Sequence, residues 1–415
     1  MSNIKQGYKQ TDIGVIPEDW EVKTICDGIA EVKSGKRLPM GYYVSDTKSE
    51  HPYIRVIDMM VGGIDTSDIK YVPNEAYPPI SNYRIFVDDI FISVAGTLGL
   101  VGKIPKELDG ANLTENANRL TRINCNRDYL MYYLLSPLIQ NVILSEQTIG
   151  AQPKLALNRI RNFQIGLPPT IQEQTAIATA LSDTDALIAA LDKKIAKKQQ
   201  IKQGAMQQLL TGKKRLPGFS GEWVEKRVDE FSDTSSGGTP SRSNSNFYTG
   251  NIPWVTTGEL NDGYISCTKE YISEEALNCS SAKLFPANTV LMAMYGATIG
   301  KLGIINIPAS TNQACCAFLC DNQLVDNKFL FYKLRFIRNE LISLGSGAGQ
   351  PNISQTVIRN LSLCMPNTIT EQIAIAQILT DMDNEIAQLE KERDKYKELK
   401  AGMMQVLLTG KVRLV

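Results

Sequence analysis

Residues 371–415 read EQIAIAQILTDMDNEIAQLEKERDKYKELKAGMMQVLLTGKVRLV, and residues 173–217 read EQTAIATALSDTDALIAALDKKIAKKQQIKQGAMQQLLTGKKRLP. The two stretches align without a gap at an offset of 198, and 24 of 45 positions are identical. Such a match is an internal duplication, and a duplicated element sets the plan of the chain around it. Each copy opens with a threonine three residues before a glutamate, Thr170 with Glu173 and Thr368 with Glu371. That spacing predicts a capping box, in which hydroxyl and carboxylate satisfy each other's free backbone N–H groups. Pro169 and Pro366 stop each helix from extending backwards. Gly212 and Gly410 suit a left-handed cap, so the helices are expected to end near Leu210 and Leu408. Steps of three and four, or sums of two such steps, join Ile177, Leu181, Ile188 and Leu191, then Ile195, Ile201 and Leu209, in the first copy. In the second they join Ile375, Leu379, Met382, Ile386 and Leu389, then Tyr396, Leu399, Met403 and Val406, which is the pattern of a coiled-coil seam. Helices of this length extend about 57 Å, enough to act as a spacer.

Working outward, a globular segment precedes each helix, and the two segments repeat one order of features. Pro17-Glu18-Asp19-Trp20 is answered by Phe219-Ser220-Gly221-Glu222-Trp223, and the basic loop Ser34-Gly35-Lys36-Arg37 by Ser235-Ser236-Gly237-Gly238-Thr239-Pro240-Ser241-Arg242. The strand-like Pro52-Tyr53-Ile54-Arg55 is answered by Ile252-Pro253-Trp254-Val255-Thr256-Thr257. A glycine-rich loop carries Thr97 in one half and Tyr295, Thr298 and Lys301 in the other. Helical spacing over residues 129–145 is matched over residues 328–344. Just before each long helix, Gly150-Ala151-Gln152-Pro153-Lys154-Leu155 matches Ala348-Gly349-Gln350-Pro351-Asn352-Ile353. The expected unit is therefore a mixed domain followed by a helix, written twice. Antiparallel packing of the helices would give the chain a pseudo-two-fold axis and bring Arg413 near the segment from Gly7 to Trp20.

Length and composition narrow the class. With 415 residues and 43% apolar content, the chain has enough material for two cores. It contains no run of eighteen apolar residues and no leader-like start, so a cytoplasmic protein without a membrane span is expected. Its eight cysteines lack paired C-x-x-C spacing, which favours reduced, buried thiols over a zinc site. The single histidine, His51, excludes a His-rich metal cluster. Lysine and arginine balance aspartate and glutamate at 44 each, against a protein that coats nucleic acid unaided.

No catalytic constellation emerges. The glycine-rich loops are followed by Ile104 and Leu302 where a phosphate loop needs Ser or Thr after its lysine. Asp19, Glu31 and Lys33 have the residue types of a metal-dependent nuclease, but the second half lacks the lysine pattern. Recognition remains. Loops of Gly, Ser and Thr with a basic residue let backbone N–H groups approach phosphates while longer side chains reach base edges. On that basis the candidate DNA-contacting residues are Lys36, Arg37, Arg55, Thr97, Gln152 and Lys154 in the first half. In the second they are Ser241, Arg242, Thr256, Thr257, Tyr295, Thr298, Lys301, Gln350 and Asn352. A protein-binding adaptor with two domains on a coiled coil is the alternative, and a self-contained nuclease a more distant one.

The Pro-Glu-Asp-Trp opening, the Gly-Ala-Gln-Pro approach, the Glu-Gln-x-Ala-Ile-Ala start, the Leu-Leu-Thr-Gly-Lys-x-Arg-Leu close and their duplication resemble the specificity subunit of type I DNA restriction-modification systems. The resemblance covers nearly the whole chain. It implies an α+β fold: two mixed α/β target recognition domains, residues 1–169 and 216–367, joined by two long antiparallel coiled-coil helices, residues 170–215 and 368–415, with an internal pseudo-two-fold repeat. It also implies a chain that binds double-stranded DNA and two modification subunits but catalyses nothing and holds no cofactor or metal. S-adenosylmethionine, ATP and Mg²⁺ would sit on partner subunits, which include two restriction subunits where cleavage accompanies methylation. Half-sites one helical turn apart lie about 34–36 Å from centre to centre, within reach of such helices.

Overall fold

The computed structural model describes residues 5–145, 154–345 and 352–414. It resolves into two units, residues 1–191 with 392–415, and residues 192–391, so the division falls inside both long helices. Those helices run Ile171–Leu209 and Ile369–Leu407, 39 residues each. Each ends one residue before the expected stop.

The first unit is built from two four-stranded sheets. One is antiparallel, with neighbours in the order Val101–Lys103, Ile90–Ser93, Ala117–Thr121 and Glu31–Ser34. The other places Pro52–Ile54 parallel to Ala111–Leu113, flanked by Lys70–Tyr71 and Arg84–Ile85. A third pairing joins Glu21–Thr24 to Gln164–Leu167 just ahead of the long helix. The second unit repeats the plan, with a five-stranded sheet holding Ser232–Ser236, Cys315–Cys320 and Val290–Ala293 side by side. Its second sheet again has one parallel pair, Ile252–Val255 with Ala309–Thr311.

The expected single helix over residues 129–145 is two, Arg127–Leu135 and Pro137–Ser145, because Pro137 has no N–H to continue the ladder. Residues 328–344 likewise split into Asn327–Phe336 and Arg338–Ser343. Both breaks free a side chain to hold the glycine-rich turn: Gln140 Nε2 donates to the Gly99 carbonyl at 3.1 Å, and Arg338 Nε to that of Gly300 at 2.8 Å.

Antiparallel helix packing is visible inside each unit. In the first, Leu407 and Leu408 join Ile177, Leu181 and Trp20 in one core. In the second, Leu209 and Leu210 join Ile375, Leu379 and Phe329. Leu191, Ile386 and Leu389 are also buried, whereas Ile188 is half-buried. The stripe drifts beyond that point, and Ile201 and Leu399 face solvent. Lysines one position further on take the inner places. Lys400 Nζ lies 2.6 Å from Asp185, which also accepts from Tyr132 Oη at 2.9 Å. In the second unit Lys202 pairs with Asp383, which accepts from Tyr332 Oη at 2.9 Å.

The caps differ from the expectation. Thr170 Oγ1 accepts from the Glu173 N–H at 3.2 Å, but the glutamate does not reach back. Instead buried Glu173 binds Arg413, whose Nη2 lies 2.7 Å from Oε2. Glu371 is held by Arg215 through two contacts of 2.7 Å. The next residue fixes the domain: Gln174 accepts from the Asn126 N–H at 2.8 Å, and Gln372 from the Asp326 N–H at 2.9 Å. Gly212 and Gly410 adopt the expected left-handed φ of +70° and +66°. Arg413 also reaches Asp19 at 2.9 Å, and Tyr8 Oη donates to the Gly410 carbonyl at 3.0 Å, so the last described residues pack on the first.

Candidate nucleic-acid interface

In each unit three neighbouring strands of one sheet finish at the same end, and the chain between them forms the turns there. In the first unit Ser93 pairs with Ala117 and Ser34 with Asn118, so the loop after Ser34, the turn after Ser93 and the approach to Ala117 are neighbours. Backbone hydrogen bonds tie them: Gly35 N to Ala117 O at 3.0 Å, Lys36 N to Leu113 O at 2.8 Å and Val94 N to Asn116 O at 2.7 Å. Lys154 is added by its bridge to Ala95. This end therefore gathers Lys36, Arg37, Thr97 and Lys154, all exposed, around Glu115 and Asn116. Tyr53 Oη donates to the Lys36 carbonyl at 3.0 Å, and the Lys36 amine lies 5.7 Å from the centre of the Tyr83 ring.

The second unit builds the same end from different residues. Ser236 pairs with Cys316 and Ala293 with Cys315. Gly238 N donates to Thr311 O at 2.9 Å, Met294 N to Ala314 O at 2.9 Å and Ile353 N to Met294 O at 2.8 Å. The bridge of Tyr295 with Asn352 repeats that of Ala95 with Lys154. Thr239 and Gln313 bond through their side chains, and Lys283 Nζ reaches Ser235 Oγ at 2.9 Å. Arg242 is ion-paired to Glu270 at 2.6 Å, which holds its guanidinium protonated, and lies over two aromatic rings. Ser241 is exposed and bonded to Ser243 at 2.7 Å. Burial raises the Tyr295 hydroxyl above its ordinary range, keeping it a donor. Thr298 is half-buried and Lys301 exposed at the far side of the turn, where its N–H donates to the Thr298 carbonyl at 2.9 Å.

Glycine is required where these loops cross. A Cβ on Gly35 would stand 2.7 Å from the Thr114 carbonyl carbon, and one on Gly237 would stand 2.5 Å from that of Thr311. No larger residue fits against backbone at that range.

Some expected residues have other work. Arg55 Nε binds Asp58 at 3.0 Å and its Nη2 binds Asp58 at 2.6 Å and the Asp68 carbonyl at 2.8 Å, so this guanidinium closes the turn after its strand. Thr256 plays the same part, donating to Glu259 from its N–H at 2.8 Å and its hydroxyl at 3.1 Å, with Thr257 half-buried in the turn. Gln152 and Gln350 lie outside the described residues. The nuclease reading gave Asp19 and Glu31 to a metal ion and Lys33 to the attacking water. Instead Asp19 pairs with Arg413, while Glu31 pairs with Lys33 at 2.8 Å and Arg122 at 2.6 Å. Among the described residues no cluster of His, Cys, Asp or Glu could hold a metal, and no helix is long and apolar enough to cross a membrane. All eight cysteines are free thiols, yet Cys26, Cys267, Cys279 and Cys364 are exposed where burial was expected. His51 stacks on Tyr77 with ring centres 3.5 Å apart.

Thr114-Glu115-Asn116-Ala117 and Thr311-Asn312-Gln313-Ala314 occupy the middle of each end and were not among the expected residues. A repeated Thr-x-x-Ala at an offset of 197 is their signal in the sequence. It was hidden because the glycine-rich and basic stretches around it look more like ligand loops. The assembled ends present exposed cations, amides and hydroxyls on turns braced by backbone, a set able to bond phosphates and base edges.

Comparison with known proteins agrees with this geometry. The type I restriction modification DNA specificity domain family, Methylase_S, matches residues 17–203 and 220–401. The chain is 27% identical over 432 residues to the putative type I restriction enzyme MjaX specificity subunit of Methanocaldococcus jannaschii, covering 99% of this chain and 97% of that protein. It is 28% identical over 429 residues to the MjaVIII specificity subunit of the same organism, with the same two coverages of 99% and 97%. Its fold resembles the crystal structure of the type I restriction-modification S subunit from M. genitalium, with a TM-score of 0.61 at 16% identity over 94% of this chain and 96% of that one.

Proposed function

From the premise that the chain belongs to the type I restriction modification DNA specificity family, we infer that it is the subunit that selects the DNA target of a type I restriction-modification enzyme. Each unit reads one half of a bipartite site, and the long helices fix the distance between the halves. One observation supports this division most directly. The two sheet ends share a scaffold but differ in what they present, Lys36, Arg37, Thr97, Glu115 and Asn116 against Arg242, Thr298, Asn312 and Gln313. Matched frames with unlike contacts are what two half-sites of different sequence require.

The subunit does no chemistry itself on this reading. Two modification subunits dock on the helices and carry S-adenosylmethionine, and restriction subunits, where present, carry ATP and Mg²⁺. Lys193, Lys194 and Lys197 line an exposed face of the first long helix and suit an acidic partner or the DNA backbone. Since the partners close around the duplex, the neutral chain need not supply most phosphate contacts, and its own binding should depend only modestly on salt.

Co-expression with the modification subunit encoded beside it, followed by mapping of methylated adenines, tests the reading. A single motif of two short blocks separated by a fixed run of unspecified bases is expected. Removing seven residues from both long helices should shorten that run or abolish methylation. One continuous motif would leave the duplication serving something else, and a complex that forms without DNA binding would favour the adaptor.

A further inference from the structure

Among the described cations at the two sheet ends, Arg242 alone is held against two aromatic rings. The loop that carries it is pinned by Tyr248 Oη donating to the Pro240 carbonyl at 2.7 Å and by Trp254 Nε1 donating to the Gly238 carbonyl at 3.0 Å. The same two rings then form its platform. Its guanidinium carbon lies 4.1 Å from the Tyr248 centre and 5.2 Å from that of Trp254, and the rings meet edge to face at 79°. Glu270 takes Nη1, yet 56% of the side chain stays accessible. Among the described residues Nε and Nη2 have no hydrogen-bond partner.

A phosphate can be met by a flexible lysine acting as a point charge, with no fixed platform beneath it. Seating a planar cation against two rings and pairing one of its nitrogens with a carboxylate is an orienting arrangement: it leaves an N–H edge as the presented group. From this geometry we propose that Arg242 reads a guanine in the half-site taken by the second unit, an inference that rests on the DNA-recognition reading above. Guanine alone offers two acceptors, N7 and O6, side by side in the major groove, matching a two-donor edge. Adenine puts a donor beside its acceptor, and arginine has no acceptor to meet it. Glu270, 41% accessible, forms an exposed pair of the weak kind, so it orients the fork without locking it away from DNA. The first unit has a different device at the matching loop. There Lys36 sets a point charge 5.7 Å from the Tyr83 ring, so the inference concerns the second half-site only.

The complete complex with its modification subunit provides the test, with methylated adenines mapped for the wild type, Arg242→Lys and Arg242→Gln. The wild-type motif is expected to contain a G·C pair in one half at which both variants lose discrimination by about ten-fold or more, while the other half is unchanged. Arg242→Lys is the informative variant, since it keeps the charge and the loop but not the fork. If it retains full discrimination at every position, or if both variants lower methylation uniformly at an unaltered motif, Arg242 is a phosphate contact and the inference is overturned. A split motif lacking a G·C pair in either half overturns it alone. Absence of any split motif in the wild type overturns the functional reading and the inference with it.

Discussion

Lys333 is buried at a place where the first unit carries Tyr133. Its amine donates to the Leu210 carbonyl at 2.7 Å, near the end of the first long helix, and lies 5.7 Å from the Trp223 ring centre. Burial pushes its pKa below the ordinary 10.5. Between the lowered value and 10.5 the unfolded chain binds more protons than the folded one, so this residue makes stability rise with pH across that interval. Below it the lysine is charged in both states and its burial counts fully against folding. Denaturant titrations at several alkaline pH values should show the wild type gaining on Lys333→Met as pH rises towards 10.5, and a constant gap would refute this. Arg413 makes the opposite case. Arg413→Ala strands Glu173, 1% exposed, inside the first unit. The expected cost is about 3 kcal/mol, at the lower end for a broken buried pair because the arginine is 33% accessible; a loss below about 1 kcal/mol in chemical denaturation would show the pair to be dispensable. The duplication placed Arg413 near the Gly7–Trp20 segment, where it meets Asp19, but neither its buried partner Glu173 nor the burial of Lys333 could be read from sequence. Lysine at helical spacing looks like a solvated face, and Arg413 meets a partner 240 positions away.

At the scale of elements, the helices were legible because apolar periodicity and caps are local. Ile177, Leu181, Ile375 and Leu379 lie where their spacing puts them. The stripe fails at Ile201 and Leu399 because Lys202 and Lys400 enter the seam to meet aspartates that only the antiparallel register supplies. Helix ends were read from glycines, and these allow a comparison. A Cβ at Gly212 would meet the Trp223 ring at 3.2 Å, whereas one at Gly410 would meet Pro17 at 2.5 Å as well as Trp20 at 3.2 Å. Gly212→Ala should therefore cost about 1–2 kcal/mol through its left-handed φ and mild crowding, and Gly410→Ala about 2–4 kcal/mol. Equal losses in urea titrations would mean that backbone strain alone decides. The sheet ends were only half legible: Lys36 and Arg242 stand out by composition, but Asn116 and Gln313 become visible once strand register brings three loops together.

For the whole molecule, the duplication gave the order of parts, and the structure adds how each unit is closed. Leu407, Leu408 and Arg413 complete the first unit just as Leu209, Leu210 and Arg215 complete the second. Since Tyr8 already touches Gly410, a circular permutant joining the two ends through a short linker and opened between Pro217 and Phe219 should fold and direct methylation to the same motif. Aggregation of that permutant, or an altered motif, would show that the junction at 217–219 is more than a connection.

The swap of closing segments also sets a timetable for synthesis. Residues 192–391 contain every described part of the second core, so that unit can finish while residues 392–415 are still within the ribosome. The first unit emerges earlier but keeps an open groove beside Ile177 and Leu181 until Leu407 and Leu408 arrive. Folding is thus completed in the reverse of translation order, and a nascent chain held on the ribosome with residue 391 just clear of the exit would protect its second half from protease before its first.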